Sequence, residues 1–389
     1  MAKGRRANGG GSIYANPNGG YTAQYRLGVG ENGKPKFTRK SFKTKRECED
    51  WLTEMKKKYN GLSQTEYAQL SITELVQIWF NYKKKLLKAK SLDRIESTIN
   101  THILPAIGSY RLCDITPELI QTKVLDKMVY EKNLSKSSVK KAYDDMNNFF
   151  NYCVDNDWVD KSPMRRVTLK TYEFKAEKNI RSFSSDEMDM IVTSALEKYG
   201  NGKPFYECGY IFPIIYHTGM RIGEALGLRW KHVNLKEDGG YIDIEETIVN
   251  AKDRSTDSSR TQIVQQGGKT ANSRRRIPLN EAALRYLLAQ KELRYYGEEY
   301  YVFNIGRNEV RAMEAHNVSR SFKNILEKNN IEHRGVHALR HTFATDLKEN
   351  DVDELIISRL LGHSSSDVTR RYIDTRFNEL RKAVETLSR

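Results

Sequence analysis

The residues whose types and spacing could do chemistry cluster between His337 and Tyr372. The chain there reads His-Ala-Leu-Arg-His-Thr-Phe-Ala-Thr, then Leu-Leu-Gly-His-Ser-Ser-Ser, and ends on Val-Thr-Arg-Arg-Tyr. His337, Arg340, His363 and Tyr372 thus fall within 36 residues. On a helix His337 and Arg340, three apart, share a face. Gly362 has the position of a left-handed helix cap, which would turn the backbone so that His363 points back toward that face. A guanidinium, two imidazoles and a phenol can gather around one phosphate, or they can decorate a helical surface.

Two upstream candidates belong to the same question. Arg221 stands in His-Thr-Gly-Met-Arg-Ile-Gly-Glu-Ala-Leu, and Lys269 follows Gly267-Gly268. Taken singly, each has an ordinary explanation. Arg221 with Glu224 fits a helical ion pair, and Lys269 fits a solvated turn lysine. His337 and His341 have the i, i+4 spacing of two helical zinc ligands. Ala338 and Leu339 fill the intervening slots, however, so the carboxylate that a zinc protease needs as its base is missing. No metal or cofactor is expected.

These groups need a scaffold, and composition says what kind. At 389 residues the chain exceeds one ordinary core, so two or three domains are expected. A net charge of +15, with Lys and Arg spread from end to end, points to a polyanion, with nucleic acid as the leading partner. No apolar run approaches the roughly 20 residues that span a bilayer, and the N-terminus lacks a signal-peptide core. A soluble, cytoplasmic protein without membrane association is the expectation. Cys48, Cys113, Cys153 and Cys208 form no CxxC pair and each sits in an apolar pattern, so four buried free thiols are expected.

Along the chain, three strand-like runs (12–16, 21–29 and 35–42) are separated by Pro17-Asn18-Gly19-Gly20 and Glu31-Asn32-Gly33-Lys34, both turn signals. Thr44 then caps a helix with an apolar stripe of Cys48, Trp51, Leu52, Met55 and Tyr59. The outer face of this sheet is expected to carry Arg26, Lys36, Arg39 and Lys40, a pattern suited to a DNA groove. Residues 61–71 read as a polar linker. Four helical stripes follow from Ile72 to about Asp155, the third opened by the cap Thr116-Pro117. They describe a four-helix bundle. The basic segment 161–179 reads as an inter-domain linker that could follow a phosphate backbone. From Arg181 a third domain opens with the capping box Ser184-Ser185-Asp186-Glu187. It continues through helices, a small strand section from about 241 to 279, and helices again. The expected division is 1–65, 70–165, a linker at 166–180, and 181–389.

The order and spacing of Arg221, Lys269, His337-x-x-Arg340, Leu-Gly-His363 and Tyr372 resemble the tyrosine recombinase, or phage-type integrase, family. The resemblance extends to the helical bundle, which looks like that family's SAM-like core-binding domain. It also reaches the N-terminal sheet, similar to the arm-binding domain of integrases from phages and conjugative transposons. It implies a mainly α catalytic domain with a small β-sheet, shared with type IB topoisomerases. Arg221, Arg340 and His363 would then hold the phosphate oxygens, Tyr372 would be the nucleophile, His337 its proton acceptor and Lys269 the general acid. It further implies a covalent 3′-phosphotyrosine, no cofactor, a tetramer on core and arm sites of double-stranded DNA, and an excisionase-type accessory protein. In such families the terminal helix bearing Phe377, Leu380, Val384 and Leu387 docks on a neighbouring subunit, and that docking is the expectation here. Asp374 stands where many relatives carry His, without consequence for a catalytic position. The rival readings are a type IB topoisomerase and a non-enzymatic architectural DNA-binding protein. A recombinase for chromosome dimer resolution fits less well, since such enzymes usually begin directly with the helical bundle.

Overall fold

The computed structural model describes residues 11–17, 19–29, 35–60, 64–174, 181–236, 240–254, 260–266, 274–362 and 377–387. The chain divides into two compact units, Met1–Glu177 and Lys178–Arg389.

The first unit opens with an antiparallel sheet of β1 (Ser12–Ala15), β2 (Tyr21–Val29) and β3 (Pro35–Phe42), in the order β1-β2-β3. Helix α1 (Lys45–Asn60) covers one face. Thr44 and Glu47 cap it reciprocally: the Glu47 N–H donates to Thr44 Oγ1 (3.3 Å) and the Thr44 N–H to Glu47 Oε2 (2.9 Å). Ala23 and Tyr25 alternate along β2 to meet Cys48, Trp51 and Leu52 in a small core. The ladder slips by a bulge between Arg26 and Gly28.

This register corrects one expectation. Arg39 and Lys40 are successive residues of β3 and therefore point to opposite faces. Arg39 pairs with Gln24 across the ladder and lies on the open face beside exposed Phe37. Lys40 pairs with Ala23 on the α1 side and reaches solvent at its margin, over the Phe42 ring. Arg26 and Lys36 lie in β2 and β3, with their side chains outside the described residues.

Helices of the same unit follow: α2 (Gln64–Gln69), α3 (Ile72–Lys84), α4 (Ala89–Thr98), α5 (Leu104–Ile107), α6 (Pro117–Ile120) and α7 (Lys136–Asp155). Wider π-type turns over Ile99–Ile103 join α4 to α5, and others over Gln121–Glu131 extend α6, so four long helical stretches build the bundle. Thr116 caps the third by accepting the Leu119 N–H, with Pro117 in the first turn. Trp79, Ile107, Ile120, Leu125 and Phe150 are among its fully buried side chains. Residues 64–69 are helical where a linker was expected, because Tyr67 stacks on Trp158 (centroids 4.5 Å apart). The basic segment also begins as structure: Met164, Val167 and Tyr172 are buried in the bundle core. The Tyr172 hydroxyl donates to Asp126 (2.6 Å). An apolar residue every few positions anchors what its charge alone made look solvated.

The second unit contains α8 (Ser185–Ala195), α9 (Ile211–Thr218), α10 (Ile222–Gly227), β4 (Val233–Asn234), β5 (Tyr241–Ile244), β6 (Glu246–Lys252), β7 (Arg260–Gln266) and β8 (Arg275–Pro278). Helices α11 (Glu281–Leu293), α12 (Ala315–Lys328), α13 (His337–Glu349), α14 (Glu354–Leu361) and α15 (Phe377–Glu385) complete it. One sheet runs β4-β5-β8 and β6 pairs with β7 as a hairpin. Ser184 and Glu187 form the expected capping box on α8. Helix α10 lies so close to β6 that a Cβ on Gly223 would stand 2.7 Å from the Ile248 carbonyl oxygen.

Within the single chain, helix α15 packs on its own unit. Ala383, Val384 and Leu387 join Phe343, Leu347, Ile357, Leu360 and Leu361 in one cluster. Asn280, buried at the start of α11, donates from Nδ2 to the Val384 carbonyl (3.1 Å). Val384 and Leu387 are 0% and 7% exposed, worth roughly 1.5–3 kcal/mol each, so this docking is well supported energetically within one chain. The thiols of Cys48, Cys153 and Cys208 are buried, but Cys113 is exposed at the turn after Leu112.

Candidate active site

Four elements meet where Arg221 and Arg340 approach each other. Helix α9 ends at Gly219 in the left-handed conformation (φ 63°), and a Cβ there would lie 2.5 Å from the Phe343 ring, so only glycine fits the corner. The turn delivers Arg221 as the residue capping α10. Its backbone N–H donates to Glu224 Oε2 (2.9 Å) and its Nη1 to Glu224 Oε1 (2.7 Å). The predicted ion pair is therefore real, but its carboxylate is interior, with Glu224 only 3% exposed.

Arg340, on the first turns of α13, is also 3% exposed. Its Nη1 donates to the Gly219 carbonyl (2.6 Å) and its Nη2 to the Leu361 carbonyl (2.7 Å). One guanidinium thus joins the corner before Arg221 to the residue before Gly362. Gly362 caps α14 in the left-handed conformation (φ 66°), as its sequence position predicted. His337 is exposed at the start of α13, its ring perpendicular to His341 with centroids 5.0 Å apart. Lys269, His363 and Tyr372 lie outside the described residues.

Sequence reasoning missed the third arginine. Arg275 on β8 donates from Nη2 to Glu224 Oε2 (2.8 Å), from Nη1 to Glu224 Oε1 (3.2 Å) and from Nε to the Leu360 carbonyl (2.7 Å). Its side chain is 7% exposed, whereas those of Arg274 and Arg276 are 60% and 48% exposed. The signal was present: in the run Arg274-Arg275-Arg276-Ile277, period-two alternation puts Arg275 on the face of buried Ile277. A buried arginine implies a buried acid, which also singles out Glu224.

The electrostatics follow from burial. Burial alone would raise the Glu224 carboxyl, but the hydrogen bonds and charge of Arg275, joined by Arg221, hold it down to about 2. Burial, and then the charges of Arg221 and Arg275, push the Arg340 guanidinium down to about 9 against the pull of Glu224. Arg221 and Arg275 share the Glu224 carboxylate and the charge of Arg340 acts on the same group, an excess of two positive charges at a site that opens to solvent through Arg221, whose side chain is 40% exposed. Such a cluster suits a diester phosphate whose nonbridging oxygens gain charge during attack.

The fold is that of a DNA strand-transfer enzyme. The sequence model of the phage integrase family matches residues 183–379, that of the phage integrase N-terminal SAM-like domain matches 71–128, and that of an arm DNA-binding domain matches 12–59. The chain belongs to the phage integrase family and is a tyrosine-type site-specific recombinase. It is 26% identical to a tyrosine recombinase XerC-like protein of Caldanaerobacter subterraneus over 95% of each chain. It is 23% identical to a probable integrase of prophage ps2 from Lactococcus lactis over 83% of each. Among solved structures, the Tn1549 transposon integrase bound to a circular-intermediate DNA superposes with a TM-score of 0.62 at 16% identity, covering 82% of this chain and 99% of that one. A lambda integrase dimer bound to a core site gives 0.55 at 17% identity, covering 96% and 99%.

Proposed function

We propose that this recombinase integrates and excises a mobile element, of a phage or a conjugative transposon, through a covalent 3′-phosphotyrosine. The observation that carries the reading is the buried cluster in which Arg221 and Arg275 share Glu224 while Arg340 spans the Gly219 and Leu361 carbonyls. Arg221, Arg340 and His363 hold the nonbridging oxygens. Tyr372 Oη attacks phosphorus, and the bond from phosphorus to the 5′ oxygen breaks. A phenol of ordinary pKa about 10 must lose its proton to attack near neutral pH, and His337 takes it. Lys269 returns a proton to the leaving 5′ oxygen. The tyrosyl ester conserves the phosphodiester, so the reverse step joins a new strand with no cofactor.

The module at residues 1–65 binds arm sites, with Arg39 and Phe37 on the open sheet face, Lys40 at the sheet's margin, Lys36 on the same strand and Arg26 on the adjacent one. Residues 70–165 and 181–389 hold the core site, and the chain leading on from Phe174 joins them. The working form is a tetramer on DNA in the bacterial cytoplasm, with an excisionase-type protein setting direction. Among the described residues no helix is long and apolar enough to cross a membrane.

The test is incubation with a nicked half-site in EDTA, followed by denaturing electrophoresis. A protein–DNA adduct that survives denaturation and is lost in Tyr372→Phe is expected. A strict Mg²⁺ requirement, or an adduct that persists in Tyr372→Phe, would rule the mechanism out.

A further inference from the structure

We propose that a cleft on the helical bundle, walled by Lys161, Arg165 and Arg166 and opening beside the Cys113 thiol, grips the sugar–phosphate backbone of the recombining duplex. It rests on the recombinase reading and adds to it a place where the helical domain fixes the register of its DNA. The cleft measures about 710 Å³ and none of its lining residues is acidic. Part of its lining is apolar, with Ile115 and Val159 among the residues. A DNA strand presents alternating anionic phosphates and apolar deoxyribose faces, and this cleft offers a counterpart to each.

Two features separate these cations from solvated surface charge. The first is that other arginines of the bundle are already matched, Arg94 to Asp145 and Arg111 to Asp114, both at 2.7 Å. Lys161, Arg165 and Arg166 have no ion pair among the described residues. The second is rigidity. Arg165 and Arg166 belong to the single tight turn Pro163–Arg166, which Ser162 caps by accepting the Met164 N–H (3.2 Å). Met164 is 3% exposed and Val167 is 6% exposed, so the turn is pinned into the bundle core on both sides of the arginines. Two guanidiniums on a fixed turn lose less freedom on meeting a phosphate than two on a mobile linker would. Contacts of this kind orient a protein on a duplex without reading its bases.

Cys113 supplies the probe, since Cys48, Cys153 and Cys208 are buried. The full-length protein is trapped as the covalent adduct on a nicked half-site, treated with N-ethylmaleimide, and its cysteines are quantified by mass spectrometry. In the adduct, Cys113 labelling should fall about tenfold relative to the free protein, as for a site covered about nine-tenths of the time. In a second arm, Lys161→Ala, Arg165→Ala and Arg166→Ala should each lower the slope of log affinity against log salt by roughly 0.9, equally for all sequences. Undiminished Cys113 labelling in the trapped adduct, or an unchanged salt slope in all three variants, overturns the cleft while leaving the recombinase reading standing. Failure to trap any adduct would instead strike the recombinase reading, and the cleft with it.

Discussion

In the arm module Arg39 stands on the open face of a three-stranded sheet, hydrogen-bonded to Gln24, and Lys40 reaches solvent from the sheet's margin. In the catalytic unit Arg340 and Arg275 are nearly sealed from water, and their hydrogen bonds among the described residues end on carbonyls or on Glu224. The same residue type therefore serves two purposes. Exposed cations give affinity that salt can erase, because they act by releasing counterions. Buried ones, aligned before substrate arrives, give charge that needs no rearrangement when the transition state forms. The first arrangement tolerates substitution, and the second is integral to the fold.

That contrast can be broken most directly at Glu224. Glu224→Gln should destabilise the catalytic unit by about 3–5 kcal/mol, since Arg275 would be left buried without its counter-charge. Urea denaturation followed by intrinsic fluorescence would measure it, and a change under 1 kcal/mol would mean the cluster is not structural. Arg340→Lys comes next. An ammonium cannot span the Gly219 and Leu361 carbonyls as a fork does, so single-turnover cleavage should fall on the order of 10²–10³-fold with DNA affinity nearly unchanged.

A buried base in the same unit sharpens the comparison. Burial, with the charge of Arg285, pushes His217 down to about 4, and its Nδ1 lies 3.3 Å from the Asn280 amide nitrogen. Above pH 6.5 the ring is neutral whether folded or unfolded, and stability is full. Below 6.5 the unfolded chain takes up a proton that the folded one refuses, so stability falls progressively to pH 4, by about 3 kcal/mol in all. Melting temperature against pH should show this slope, flattened in His217→Gln. The smallest effects on stability and on core-site cleavage belong to the arm module. Arg39→Ala should leave stability within about 0.5 kcal/mol and lower the salt slope of arm-site binding by roughly 0.9. Removal of residues 1–60 should abolish arm-site binding while core-site cleavage persists.

Much of the scaffold was legible because its signals are local. Thr44, Ser184 and Thr116-Pro117 announced helix starts, Gly219 and Gly362 announced stops, and the stripes of the bundle named its core. What escaped depended on partners distant in sequence. Arg275 stands in a run of three arginines, and what sets it apart is its bond to a carboxylate 51 residues away. Tyr67 and Met164 lie in polar surroundings, and only the bundle core explains why their segments are ordered. Helix α15 shows the same limit, since an apolar stripe specifies that it will be covered but not by what. Lys40 differs, because the period of a strand sets the adjacent residues Arg39 and Lys40 on opposite faces, which is legible from their spacing alone.

The last turn of α14 is closed by side chains from other elements. The Leu360 and Leu361 carbonyls, which a helix cannot satisfy internally at its end, accept from Arg275 on β8 and Arg340 on α13. That turn can reach its final state only after strand and helix have docked, so it should be among the last parts of the unit to form during folding. Substitutions in it should speed unfolding and barely slow refolding. Assembly of the arginine cluster and the completion of folding would then be one kinetic event, leaving no folded intermediate in which α14 is finished while the cluster is still open.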